Sequence, residues 1–233
     1  MSIKLYAAKI VAEVLNDRRS LEMAYRAFPD SNLYFMMIDL VQSTNYRLVN
    51  GPEMGYIRGE SFFSLVKSTF RPYGQVRLFK EIGDAALVCA PELRPLLEAA
   101  ILMDQATRQL SFADEDPALP FTVRLGADFG IAKKLTRRDE DYLGEVIDRL
   151  ARIMTVRSPT ANFVLGERAF DINKAILQEY SSLCEISGPL SLNLPAGKAI
   201  AEPVVYREVR FVEKNGRPFT DRFEEWRRSS QPS

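Results

Sequence analysis

The sequence predicts an α+β fold in which helices pack on one face of a mostly antiparallel sheet. Three observations lead there. Short apolar runs and longer stretches of helical period follow one another in the order β-α-α-β-β-α-β. The segment 33–38, LYFMMI, is apolar at every position before it closes on Asp39, as a central strand covered on both faces would be. Two short strand-like runs, Gln75–Lys80 and Ala85–Ala90, are joined by Glu81-Ile82-Gly83-Asp84, which reads as a hairpin.

Taken in order, residues 2–27 read as an amphipathic helix or helix pair with Ile3, Ala7, Ile10, Val14 and Leu21 on one stripe. That stripe suits packing on the domain or a helical dimer contact. Phe28-Pro29-Asp30-Ser31 breaks the helix, and the strand ending at Asp39 follows. Ser43-Thr44 can cap a helix that Pro52 interrupts and that resumes over Glu53–Phe70. After the hairpin, Pro91 opens a helix carrying Leu96, Leu97, Ala100, Ile101, Met103 and Leu110. Residues 121–135 form a long strand or a hairpin bent at glycine, and LTRRDED is a charged loop. LGEVIDRLARIMTV is helical, ANFVLG a strand, and Ala169–Tyr180 helical again. Leu183–Ser187 and Lys198–Val209 close the sheet. This is the plan of a ferredoxin-like core. The expected divisions are a helical extension over 1–30, a main domain over 31–212 and a polar tail over 213–233.

Composition narrows the chemistry. The 233 residues, 46% of them hydrophobic, can bury one main core. Lys plus Arg and Asp plus Glu balance at 31 each, so no overall basic field favours nucleic acid or an anionic membrane. With no histidine, histidine triads, a histidine base and the usual zinc sites are excluded. Cys89 and Cys184 stand alone in apolar settings, as buried thiols in a reducing cytosol do. No signal peptide or membrane-spanning run is legible, so a soluble, cytoplasmic protein without membrane insertion is expected.

The two aspartates that end apolar runs, Asp39 and Asp84, carry the functional signal. A carboxylate beside a core strand is costly unless it is paired, and two of them in Ile-Asp and Ile-Gly-Asp settings suggest a shared cation. Lys80 precedes Asp84 by four residues, and DYLGEVIDRLARI (141–153) adds Asp141, Asp148 and Arg152.

In order and spacing these segments resemble the landmarks of class III nucleotidyl cyclases. The stretch Phe35–Thr44 is similar to the family's F-x-D-I-x-G-S/F-T, and Lys80–Asp84 to its K-x-I-G-D hairpin. The resemblance implies an elaborated ferredoxin-like cyclase core that forms a head-to-tail homodimer with shared active sites. It implies two divalent cations, Mn²⁺ or Mg²⁺, held by Asp39, Asp84 and the Leu40 carbonyl, and phosphate contacts from Ser43, Thr44 and Lys198. Lys80 and Asp141 correspond to base-reading positions, and Arg152 to the group that neutralises charge on the α-phosphate. Gln42 stands where the family carries glycine, and Asp148 where it carries asparagine.

A short cytosolic cyclase of this shape, with those two departures, resembles the uridylate and cytidylate cyclases of Pycsar antiphage defence. Such enzymes make cyclic UMP or cyclic CMP, which a separately encoded effector reads. Tyr46, two residues past Thr44, would then narrow the base pocket against purines. Lys80 suits O4 of uracil and Asp141 the amino group of cytosine. UTP is the expected substrate; CTP, then ATP, then an inactive cyclase-like regulatory module are the alternatives. No G-G-D/E-E-F run marks a diguanylate cyclase.

Overall fold

Strand β1 (Asp30–Leu40) is the axis of the molecule, paired antiparallel on one side with β3 (Ala85–Ala90) and on the other with β4 (Val123–Leu135). The structure is a computed structural model that describes residues 13–20, 22–23, 26, 29–113, 118–135, 141–156, 163–192 and 203–212. From Leu33 to Ile38 β1 reads as unbroken apolar sequence because both of its faces are covered there. Tyr34, Met36, Ile38 and Leu40 join the main core, while Phe35 belongs to a second cluster with Cys89, Ala132, Tyr142, Val146 and Leu150.

Around β1 the described strands form one sheet in the order β2-β3-β1-β4-β6-β9-β7, with β5 on β4 and β8 on β9. Here β2 is Arg77–Ile82, β5 Asp141–Leu143, β6 Phe163–Gly166, β7 Cys184–Ile186, β8 Leu190–Leu192 and β9 Val204–Phe211. All these pairings are antiparallel except that of β4 with β6. The main core is closed by Phe62 and Val66 of α1 (Ser43–Phe70) and by Leu93, Leu96, Leu97 and Ile101 of α2 (Leu93–Ala113). α3 (Glu145–Ile153) covers the opposite face near β1 and β4 through Val146 and Leu150. Two short helices, α4 (Glu167–Ile172) and α5 (Lys174–Glu179), follow β6.

Several expectations sharpen here. The interruption of α1 falls at Gly51-Pro52, where Gly51 takes φ 87° and ψ 167°. Segment 123–135 is a single strand, not a hairpin. Its glycines admit α3 instead of bending the chain: a Cβ on Gly126 would lie 2.7 Å from Met154 Sδ, and one on Gly130 2.8 Å from Val146 Cβ. Asp141 lies on β5 and not in a loop. The helical expectation over 2–27 is described only at 13–20, 22–23 and 26, where the chain is helical and exposed, Val14 included. Tail residues 213–233 lie outside the described residues. No described helix is long and apolar enough to cross a membrane.

Candidate active site

Sheet pairing builds the site. Asp39, next to last on β1, sits opposite Ala85 of β3 and Arg124 of β4. The pairing of β3 with β1 carries the β2–β3 turn to the same place, and Leu40 N donates to the Asp84 carbonyl at 3.0 Å. Gly83, at φ 60°, takes the left-handed position that this two-residue turn requires. Carboxylates distant in sequence thus face one space.

Both carboxylates are engaged by neighbouring donors. Arg124 donates through Nε at 2.9 Å and through Nη2 to Asp39 Oδ2, and Ser43 Oγ donates to Asp84 Oδ2. Burial raises the pKa of Asp39 above its ordinary value; the Arg124 contact lowers it in part, and the negative charge of Asp84 adds to the rise. Asp39 therefore senses the charge of Asp84. They open into a cavity of ≈ 1130 Å³ whose wall also includes Leu40, Gln42, Ser43, Thr44, Arg124, Asp104, Arg108 and Met154.

The donor set suits a hard divalent cation, which takes carboxylate and carbonyl oxygens and would offset this repulsion. Among the described residues no group of three or more Asp, Glu or Cys side chains is arranged to hold a metal ion by itself. A cation here would depend on Asp39, Asp84, backbone oxygen and substrate.

At the cavity's edge Gln42 precedes α1 with φ 58° and ψ 25°, the only non-glycine residue with positive φ among the described residues. A left-handed backbone costs a residue with a Cβ roughly 1–2 kcal/mol, part of which glycine loses again through its freer unfolded chain. Gln42→Gly is expected to stabilise the fold by about 0.5–1 kcal/mol in urea titration, and Gln42→Val to destabilise it.

The other sequence-predicted residues form a separate group. Lys80 of β2 donates to Asp141 Oδ2 of β5 at 2.6 Å, so the two base-reading candidates are brought together. On α3, Asp148 is exposed, and half-buried Arg152 keeps Nη1 buried with no hydrogen-bond partner among the described residues. None of these four lines the cavity that holds Asp39 and Asp84.

Tyr46 departs from its expected role. It is buried, with the Arg58 guanidinium 4.0 Å from its ring centroid, and it does not line the cavity. The helical period explains this: Ser43 and Thr44 lie on the cavity side, and Tyr46 turns toward the core with Phe62. Lys198 lies outside the described residues. Arg124 was not legible as a site residue until the antiparallel register of β1 and β4 set it against Asp39. Its one sequence signal is a cation at the second position of a strand that is otherwise apolar up to Asp128.

Comparisons with solved structures place this geometry. The guanylyl cyclase Cya2 superposes with a TM-score of 0.63 at 15% identity, over 81% of this chain and 96% of that one. The fold is that of a nucleotidyl cyclase catalytic domain. The adenylyl cyclase CyaB from P. aeruginosa gives 0.63 at 15% identity over 81% and 97%, and an adenylate cyclase structure from Trypanosoma brucei gives 0.63 at 14% over 80% and 91%. No protein-family model and no curated protein sequence matches the chain. Within this cyclase fold, Asp39 and Asp84 stand at the strand-end cavity, while Lys80, Asp141, Asp148 and Arg152 stand apart from it.

Proposed function

We propose that this chain is a pyrimidine nucleotide cyclase that converts UTP to 3′,5′-cyclic UMP and pyrophosphate. The observation that carries the cyclase reading is the convergence of Asp39 and Asp84 on one cavity beside the start of α1. Asp39, Asp84 and the Leu40 carbonyl would hold two divalent cations, Mn²⁺ or Mg²⁺. Such ions supply a more acidic ribose hydroxyl and neutralise the triphosphate. Ser43 and Thr44 open α1, whose first backbone N–H groups have no intrahelical partner and can receive phosphate oxygens. Arg124, which pairs with Asp39 at the cavity wall, would add a further positive group for the phosphates. Arg152 serves the α-phosphate, where charge builds as pyrophosphate departs. Asp148 faces the ribose as an acceptor.

Choice of base rests on Lys80 and Asp141. The pair presents a donor next to an acceptor, and uracil offers O4 as acceptor next to the N3–H donor. Cytosine and adenine each also offer a ring-nitrogen acceptor beside an amino donor, so CTP and then ATP are the further readings. The buried position of Tyr46 removes it as a steric filter, so discrimination falls to this ion pair. As a soluble enzyme of the Pycsar kind, the protein would release its product to a separate effector in antiphage defence.

The test is incubation of the purified protein with ATP, GTP, CTP or UTP and Mn²⁺, with products identified by mass spectrometry. Cyclic UMP is the expected product. Cyclic AMP as the main product replaces the pyrimidine assignment, and no cyclic product from any of the four removes the enzymatic one. Because tenfold selectivity needs only about 1.4 kcal/mol, one contact suffices: Lys80→Glu is expected to shift the nucleotide preference by tenfold or more in the same assay.

A further inference from the structure

The interior holds one ion pair that the chemistry above does not use. Arg149, on α3, donates to Asp128 Oδ2 through Nε at 2.9 Å and Nη2 at 2.8 Å, and Nη2 also donates to the Phe129 carbonyl at 3.1 Å. Its Nη1 reaches Glu145 Oε1 at 2.9 Å, and Phe129 N donates to Asp128 Oδ1 at 2.8 Å. The side chains of Arg149 and Asp128 are 9% and 2% exposed. Two close approaches make room for them. A Cβ on Gly166 would lie 2.3 Å from Asp128 Cγ, and one on Gly130 3.4 Å from Arg149 Nη2.

A buried ion pair is seldom more stable than apolar residues of the same volume, because removing both charges from water offsets their attraction. Its advantage is geometric: two donors of one planar guanidinium converging on Oδ2, with Nη2 also held by the Phe129 carbonyl, fix direction as well as distance. α3 needs that fixing. Its other anchors, Val146, Leu150 and Ile153, are apolar and tolerate small slides and rotations. The same short helix carries Asp148 next to Arg149 and Arg152 one turn further on.

We infer that Arg149 and Asp128 are positioning residues, which set the rotation and height of α3 and so aim Arg152 and Asp148 at the substrate. This rests on the cyclase reading, in which those two residues act on the α-phosphate and ribose. Arg149 and Asp128 touch no substrate themselves; the effect passes through the helix.

Three variants test it by steady-state kinetics with UTP and Mn²⁺ and by thermal melting. Asp128→Leu combined with Arg149→Met replaces the pair by apolar groups and is expected to fold, melting within about 5 °C of wild type. Its kcat should fall about tenfold to hundredfold with KM changed less than threefold, because a displaced catalytic group costs chemistry more than binding. Arg149→Lys keeps the charge but loses the planar pair of donors, and should show the same split in milder form. Arg149→Met alone leaves Asp128 buried without a counter-ion and should melt well below the double variant. The Mn²⁺-induced rise in melting temperature should persist in the double variant, since Asp39 and Asp84 are untouched. Wild-type kcat in a folded double variant overturns the positioning role and leaves the cyclase reading standing. A wild-type protein that cyclises no nucleotide overturns both.

Discussion

Asp84→Asn is expected to lower cyclic nucleotide formation by at least ~10³-fold, and Asp39→Asn to do the same, with the fold intact in each. The reasoning starts from charge. Each substitution removes one of the two carboxylates that converge at the strand ends, and the cavity's remaining carboxylate, Asp104, is paired with Arg108. The effect on folding is small for a different reason. The partner that Asp39→Asn leaves behind is Arg124, whose side chain is 40% exposed and can turn to water. Asp84→Asn keeps an oxygen able to accept from Ser43 Oγ. A readout besides turnover is available: Mn²⁺ at a hundred times its dissociation constant stabilises a native state by about 2.7 kcal/mol, or roughly 5–10 °C for a chain of this size. Wild-type protein should show that rise in melting temperature and both variants should lose most of it. Full activity in either variant removes that residue from the metal-holding pair.

The parts of the fold legible in sequence are those in which local pattern and tertiary role coincide. β1 announces itself because burial on both faces leaves no polar position from Leu33 to Ile38. The β2–β3 hairpin does so because Gly83 at φ 60° and the two-residue turn leave little choice of register. What was not legible depends on contacts between distant segments. β5 has only three residues, and its strand character comes from pairing with Lys133–Leu135, so Asp141 reads as part of a charged loop. Gly126 and Gly130 look like bends because sequence cannot show that α3 passes over them. Arg124 and Asp128, two cavity-side and core charges of one strand, take their meaning from Asp39 and Arg149 across the sheet and helix. Tyr46 shows the limit of position alone: two residues beyond Thr44 is about 200° round the helix, on the opposite side, toward Arg58 and the core.

Mixing Asp39→Ala chains with Arg152→Ala chains is expected to restore activity that neither has alone. Within one chain the cavity holds Asp39, Asp84, Ser43 and Thr44, while Arg152, Asp148, Lys80 and Asp141 lie outside its wall. Arg152 keeps a buried guanidinium nitrogen that no described residue satisfies, which is a costly arrangement unless an acceptor arrives from elsewhere. A head-to-tail homodimer would account for both facts, because the second group of one chain would then face the cavity of the other. Random exchange of equal amounts puts half of the dimers in the mixed form. Each mixed dimer has one intact site and one doubly damaged site, so recovery should approach about a quarter of wild-type activity. The control is sharp, since Asp39→Ala mixed with Asp84→Ala damages the same half of every site and should recover nothing. Native mass spectrometry can confirm that subunits exchange in both mixtures. If exchange is seen and the first mixture stays as inactive as the control, Arg152 and Asp39 act within one chain, and α3 would have to move toward the cavity of its own protomer for the reaction to proceed.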